Sequence, residues 1–224
     1  MQSVDVLDCP LSKIQFLTEL VHQTMNKKQR RATKIFLVRH AEKPGRDFEP
    51  YGVSREGERD KESLQVQGWQ RAGALIGLFA PPTAQINVSL AKPQFLYASK
   101  PLRRRGSKRP FQTLVPLGEK LGIEINTEFP RFDFELMLEE VYSCKGAVLI
   151  CWQREYLPAI ALRILDDRKI APAYWPEDCY DMIWVFDLDR SSGQYRFKQV
   201  PQKLLAGDVT TPIGRKPSAT SNQI

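Results

Sequence analysis

Short runs of apolar residues alternate along the chain with stretches in which apolar positions recur at helical spacing. The continuous runs predict buried β-strands. The strands are expected at 34–39, 93–99, 123–126, 146–152, 181–189 and 194–204. The helically spaced stretches predict α-helices at 64–80, 111–123, 132–143 and 156–167. Strands that alternate with helices predict an α/β fold, in which a mostly parallel central sheet is covered by helices on both faces.

The two ends of the chain differ from this alternating part. Apolar residues at helical spacing predict a helix at about 11–26, within an N-terminal extension of residues 1–33. Residues 206–224 are polar and contain several Gly, Pro, Ser and Thr residues, so we expect a flexible tail. The sequence therefore predicts one domain at 34–205, flanked by these two segments.

The composition is that of a soluble globular protein. Of the 224 residues, 42% are hydrophobic and 26% are charged, and no stretch reaches the roughly 18 apolar residues that a membrane-spanning helix needs. The N-terminus lacks the charged and apolar regions of a signal peptide, and the four cysteines form no CxxC pair. We therefore expect a reduced cytoplasmic protein that binds neither a membrane nor a metal ion.

The net charge of +7 favours anionic ligands only weakly, because part of it lies in two local basic runs. The run NKKQRRATK carries no interleaved aromatic residues of the kind that stack on nucleic-acid bases. We therefore do not expect a nucleic-acid ligand. RNA binding through KKQRR and RRRGSKR stays an alternative, and it predicts an affinity that falls steeply with salt.

One motif carries most of the chemical information. In KIFLVRHAEKP, residues Lys34 to Pro44, an apolar strand ends abruptly at Arg39 and His40. Open α/β sheets bind their ligands beyond the carboxyl ends of the strands, so we expect these two side chains in a binding site. The chain has one other histidine, His22, which lies in the predicted N-terminal helix.

Four motifs together resemble those of the histidine phosphatase superfamily, in its RH-motif branch. LVRHAEKP is similar to the RH signature, LQVQGWQRA to the helix after it, FLYAS with RPFQT to the next strand and helix start, and AVLICW to the strand that carries a second histidine. They follow the family's order over residues 34–165. The resemblance implies a phosphoglycerate mutase-like three-layer sandwich. It also implies a metal-independent phosphatase that forms a phosphohistidine on His40, needs no cofactor, and acts on a phosphorylated small molecule or phosphoprotein.

The same resemblance assigns the phosphate ligands. Arg39 and Arg109 are expected to clamp the phosphoryl group, because planar guanidinium groups bind its oxygens in pairs. Ser99, at the end of the second strand, is expected to add a hydroxyl contact.

Arg109 has competing candidates. The family's spacing from the strand-end serine points to Arg103, and Arg104 and Arg105 follow it. The register of the Gln112-Thr113 pair points instead to Arg109, and we favour this residue. It is expected at a helix N-terminus, where free backbone N–H groups also attract an anion.

The family's second histidine is missing. After the strand at 146–152 the chain reads QREYLPAI, so either Gln153 or Arg154 occupies its place, depending on the register. Loss of one preorganised donor to a transition-state oxygen lowers a rate by about 10²–10³. Two interpretations follow: a weakened phosphatase, or a catalytically inactive phospholigand-binding or regulatory protein on the same fold.

A phosphatase of this kind also needs an acid that protonates the leaving oxygen. Glu128 and Glu135 lie in the segment that faces the site in the family, and we rank these two first. Glu42, Asp133 and Glu155 are further candidates.

Overall fold

The computed structural model describes residues 31–45, 49–82, 89–101 and 106–214, and within them six strands form one sheet. The strands are β1 (Ala32–Arg39), β2 (Phe95–Ala98), β3 (Ile125–Asn126), β4 (Gly146–Trp152), β5 (Met182–Asp189) and β6 (Gln194–Pro201). Their order across the sheet is β3-β2-β4-β1-β5-β6. All six overlap the strands expected from the sequence, and β1, β2, β4 and β5 are largely apolar runs of the kind that predicts a buried strand.

Most of the sheet is parallel. Strand β1 pairs with β4, β4 with β2, and β2 with β3, all in parallel. Strand β5 runs antiparallel to β1, and β6 antiparallel to β5. A short turn after Asp189 joins β5 to β6, and strands linked this closely pair in antiparallel fashion. The predicted mostly parallel sheet is therefore confirmed.

Four α-helices of the described part of the chain cover both faces of the sheet. They are α1 (Val66–Phe79), α2 (Arg109–Leu121), α3 (Phe134–Ser143) and α4 (Leu157–Leu165). Alternate residues of β1 divide the core. Phe36 and Val38 pack with α1 and α2, whereas Ile35 and Leu37 pack with α3 and α4. The expected three-layer α/β sandwich is confirmed. Among these helices, none has the length and apolar character needed to cross a bilayer.

Helix α2 begins at the arginine that the motif singled out. Arg109 is its first residue, and Pro110 follows without loss of a hydrogen bond, because the first N–H groups of a helix have no partner within it. Gly122 ends the helix in the left-handed conformation, with φ 65°. The expected position of Arg109 at a helix N-terminus is confirmed.

The segment after β6 packs onto the domain as far as the structure describes it. The Asp208 side chain is only 5% exposed, and Ile213 is buried with its N–H donating to Gln199 of β6 (3.0 Å). Asp208 and Ile213 therefore anchor this segment to the domain, whereas we expected a flexible tail to begin at residue 206; most of the residues between and around them are exposed. The predicted N-terminal helix and residues 215–224 lie outside the described residues.

Candidate active site

Three of the expected site residues follow directly after neighbouring parallel strands. His40 follows β1, Ser99 follows β2 and Gln153 follows β4. The β1–β4 contact continues past the last strand residues, since the His40 N–H donates to the Trp152 carbonyl (3.2 Å). The carboxyl ends of these strands therefore meet at one edge of the sheet, where open α/β folds bind ligands.

His40 is held as a neutral imidazole in one orientation. The residue is 6% exposed, and its Nδ1 lies 2.7 Å from the carbonyl oxygen of Ala41. Because a carbonyl oxygen can only accept, Nδ1 carries the proton and Nε2 keeps its lone pair. Burial lowers the pKa of His40 well below its usual range, and the positive charge of Arg39 lowers it further. Nε2 is therefore available as a nucleophile at neutral pH.

Arg39 is fixed by a loop on one edge of its guanidinium group. Nη1 donates to the carbonyls of Pro176 (3.3 Å), Cys179 (3.0 Å) and Glu177. The guanidinium carbon lies 3.8 Å from the centre of the Tyr180 ring, a cation–π contact. Nε is buried and has no hydrogen-bond partner among the described residues. The loop therefore sets the orientation of Arg39 and leaves its Nε edge for an anion.

Arg109 lines a cleft that the loop after His40 also borders. The cleft has a volume of about 830 Å³, and Lys43, Lys61 and Tyr180 also line it. Nη1 of Arg109 donates to the Lys61 carbonyl (3.0 Å), and its buried Nε has no partner within the described residues. After burial and Arg39, the charge of Arg109 also lowers the pKa of His40. The structure thus brings both predicted arginines within electrostatic range of His40.

Buried polar atoms without partners are concentrated on the predicted phosphate ligands. In the described residues these atoms are Arg39 Nε, Glu42 Oε2, Ser99 Oγ, Ser107 Oγ, Arg109 Nε and Gln153 Oε1. Folded proteins leave few buried polar groups unsatisfied, so such a set marks a place where a polar ligand fits. The guanidinium N–H groups and the hydroxyl can all donate to a phosphoryl oxygen.

The structure separates the two candidates for the missing histidine. Gln153 is buried and comes directly after β4, beside His40 in the β1–β4 pairing. Arg154 is half-buried and begins a short 3-10 helix, Arg154–Tyr156. Burial is the main cause of the lowered pKa of Arg39, and the charge of Arg154 adds to it. Gln153 therefore takes the strand-end position, while Arg154 adds positive charge nearby.

The two carboxylates that we ranked first differ in their surroundings. Glu128 is exposed in the loop after β3. The carbonyl of the next residue, Phe129, accepts from the Lys100 N–H (2.8 Å), so this loop borders the end of β2. Glu135 instead forms an ion pair with Arg163 of α4 (2.9 Å). Of the two, Glu128 lies in a loop that borders the end of a strand next to the site, and its side chain forms no ion pair with the described residues.

A buried ion network fixes the residue two positions after His40. Oε1 of Glu42 accepts from Nε (2.9 Å) and Nη2 (2.8 Å) of Arg71 on α1. Arg71 also binds both carboxylate oxygens of Asp208 (2.7 and 3.0 Å). The Glu42 and Arg71 side chains are 7% and 5% exposed. Glu42 is thus an ion-pair partner, which makes it a poor candidate for the proton donor.

Three residues of the site region carried no sequence signal. Tyr180 lines the cleft and stacks on Arg39, Glu62 lines the same cleft, and Asp208 completes the ion network. Each lies in an irregular segment whose path depends on tertiary contacts. Arg71 differs from them, because it lies inside the LQVQGWQRA motif and was detectable there.

Several sequence candidates lie outside the described residues: His22, Cys9 and the arginines at 103–105. The other three cysteines, Cys144, Cys151 and Cys179, are buried and unpaired.

Among known proteins, the chain is similar only to solved structures, and the similarity lies in the fold. No protein-family model and no curated protein matches the chain. The chain is similar to the solved structure of SixA from Agrobacterium tumefaciens (19% identity, covering 74% of this chain and 96% of that one, TM-score 0.46). It is also similar to the protein histidine phosphatase SixA complexed with tungstate (14% identity, covering 75% of this chain and 97% of that one, TM-score 0.48). A further similar structure is mycobacterial glucosyl-3-phosphoglycerate phosphatase Rv2419c with inorganic phosphate (15% identity, covering 75% of this chain and 96% of that one, TM-score 0.44). These proteins are members of the histidine phosphatase superfamily.

Proposed function

We propose that this chain is a metal-independent phosphatase that hydrolyses phosphomonoesters through a phosphohistidine on His40. The observation that supports it most is the state of His40, a buried neutral imidazole whose Nδ1 is bound by the Ala41 carbonyl. Arg39 and Arg109 are close enough for their charges to lower the pKa of His40, after burial. A nucleophile beside cationic donors is what phosphoryl transfer requires.

The reaction runs in two displacements. First, the lone pair of His40 Nε2 attacks phosphorus, and the ester P–O bond breaks with its electron pair going to the leaving oxygen. Nδ1 keeps its proton, and the Ala41 carbonyl stabilises the positive ring of the phosphohistidine. Then water attacks phosphorus, the N–P bond breaks, and its electron pair returns to Nε2. Arg39 and Arg109 neutralise charge on the phosphoryl oxygens in both steps.

Glu128 is the proposed acid for the first step, and it takes a proton from water in the second. Its support is the position of its loop beside the end of β2. Glu62 is the alternative carboxylate, because it lines the cleft with Arg109. Glu128→Gln is expected to slow hydrolysis of an alkyl phosphate more than that of a nitrophenyl phosphate, whose leaving oxygen needs little protonation. If Glu62→Gln shows this difference and Glu128→Gln does not, Glu62 is the acid.

Gln153 stands in this proposal at the position of the family's second histidine. Its amide can donate a hydrogen bond to a phosphoryl oxygen but carries no charge. A weaker donor at this position lowers the rate by up to about 10²–10³. We therefore propose a slow or specialised enzyme, with Arg154 supplying additional positive charge near Arg39.

The substrate is a phosphorylated small molecule or a phosphoprotein segment. The cleft of about 830 Å³ is in the size range that accepts small ligands. Three cations, Lys43, Lys61 and Arg109, line it together with three carboxylates, Glu62, Glu177 and Asp178, so an anionic group is expected to bind on its cationic side, at Arg109.

The first experiment is hydrolysis of p-nitrophenyl phosphate in the presence of a chelator, by the wild type and by His40→Ala. The proposal expects turnover by the wild type and none by the variant. The competing interpretation is a catalytically inactive phospholigand-binding protein. It is favoured if neither protein hydrolyses aryl or natural phosphoesters while orthovanadate still raises the Tm of the wild type.

A further inference from the structure

Tyr180 contacts several parts of the candidate site, although no motif points to it. It precedes β5 and is half-buried. Its ring covers the guanidinium group of Arg39 at 3.8 Å, and its ring centre lies 6.2 Å from that of His40. It lines the cleft together with Lys43, in the loop that follows His40. One side chain thus packs against the first phosphate arginine and beside the nucleophile.

The contacts of Arg39 occupy part of its guanidinium group and so limit which of its N–H groups can bind an anion. Nη1 is occupied by three backbone carbonyls of the segment 176–179, and one face of the guanidinium plane is covered by Tyr180. The Nε edge is buried and without a partner in the described part of the chain. The carbonyls hold one edge of the guanidinium plane, and the ring of Tyr180 packs against its face. The two contacts together restrict the orientation of Arg39 before any ligand arrives.

We propose that Tyr180 is a positioning residue that holds the Nε edge of Arg39 toward a phosphoryl group, a role that rests on the proposed function of this site. It acts through Arg39, by offering an aromatic face to the guanidinium plane. Arginine–aromatic contacts that are shielded from water change an equilibrium by about tenfold or more. An aliphatic side chain of similar size fills the same space and lacks the negative face of the ring.

The test is orthovanadate affinity, measured by calorimetry on the full chain, for the wild type, Tyr180→Phe and Tyr180→Leu. Tyr180→Phe is expected to bind within about twofold of the wild type, because the aromatic face remains. Tyr180→Leu is expected to bind about tenfold more weakly. Tyr174→Leu is the matched control, since Tyr174 lies on the same loop, is also half-buried, and packs against the core on the α3–α4 side of the sheet. It is expected to lower the Tm and to leave orthovanadate affinity unchanged.

The inference is overturned if Tyr180→Leu binds orthovanadate as tightly as Tyr180→Phe. It is equally overturned if Tyr174→Leu weakens binding as much, because the effect is then a general loss of stability, or if the wild type binds no orthovanadate. If the wild type binds orthovanadate but hydrolyses no phosphoester, the proposed phosphatase fails. The affinity ratio of the two Tyr180 variants still decides the role of Tyr180 in that case.

Discussion

The imidazole of His40 is buried beside positive charge, and this environment disfavours its protonated form. Burial first, and then Arg39, place the pKa of His40 well below 6.5 in the folded protein. In the unfolded chain the pKa of the His40 side chain is about 6.5. Below that pH the unfolded state binds a proton that the folded state does not, so His40 destabilises the fold progressively as the pH falls. The loss approaches about 1.4 kcal/mol per pH unit until the folded pKa is reached.

Denaturation by urea at a series of pH values from about 8 down to about 5 measures this loss. The wild type is expected to lose more stability over this range than His40→Asn, which has no titrating ring at the site. His22 is present in both proteins, so its titration cancels in the difference. Parallel stability curves for the two proteins would show that His40 is not held in its neutral form.

A histidine introduced at position 153 is expected to change the rate of hydrolysis, whereas a histidine at position 154 is not. Gln153 follows β4 directly beside His40, whereas Arg154 begins the 3-10 helix beyond it. Gln153→His is expected to raise kcat for p-nitrophenyl phosphate, by up to about 10²–10³, because it supplies a charged donor to the phosphoryl group. Arg154→His is the matched control and is expected to give no gain. A gain from Arg154→His alone would assign the missing histidine to position 154.

At the scale of the elements, the N-terminal part of α2 supports the segment that follows His40. The buried Thr113 Oγ1 accepts from the Ala41 N–H (2.9 Å) and donates to the Arg109 carbonyl (2.7 Å). Thr113→Val leaves the buried Ala41 N–H without an acceptor, which costs about 1–3 kcal/mol of unfolding free energy. Thr113→Ser keeps the hydroxyl and is expected to cost less. Urea denaturation measures the unfolding free energy of both variants. If Thr113→Val is as stable as Thr113→Ser, the Ala41 N–H has found another acceptor.

The elements that end at the site were predictable, because an apolar run fixes where a buried strand stops. Arg39 and His40 could be placed at the tip of β1 on this ground alone. The choice between Gln153 and Arg154 was not predictable in this way, since it depends on how β4 aligns with β1. Tyr180 was not predictable either, because loop residues reach a site by a path that tertiary contacts determine.

At the scale of the whole molecule, Asp208 connects the C-terminal segment to the loop that follows His40. It binds Arg71 of α1, and Arg71 binds Glu42. Burial opposes ionisation of Asp208, but the hydrogen bonds from Arg71 prevail and lower its pKa. The contribution of this pair is therefore present at neutral pH and is lost as the pH falls through the lowered pKa of the carboxyl group. The segment after β6 is thus part of the support for the site.

Truncation tests where the folded domain ends. A chain that stops after residue 205 lacks Asp208 and leaves Arg71 with Glu42 and Gln202 as its remaining polar partners. Removal of one partner from a buried ion pair costs about 3–5 kcal/mol, so this chain is expected to unfold at clearly lower urea concentration than the full chain. A chain that stops after residue 214 keeps every described contact and is expected to match the full chain in stability.

Asp208→Asn in the full chain removes only the carboxylate and keeps the rest of the segment. Its stability therefore shows how much of the loss in the chain ending at 205 comes from the carboxylate alone. If the chain ending at 205 is as stable as the full chain, the segment rests on the domain without supporting it, and the boundary at 205 expected from the sequence is the correct one.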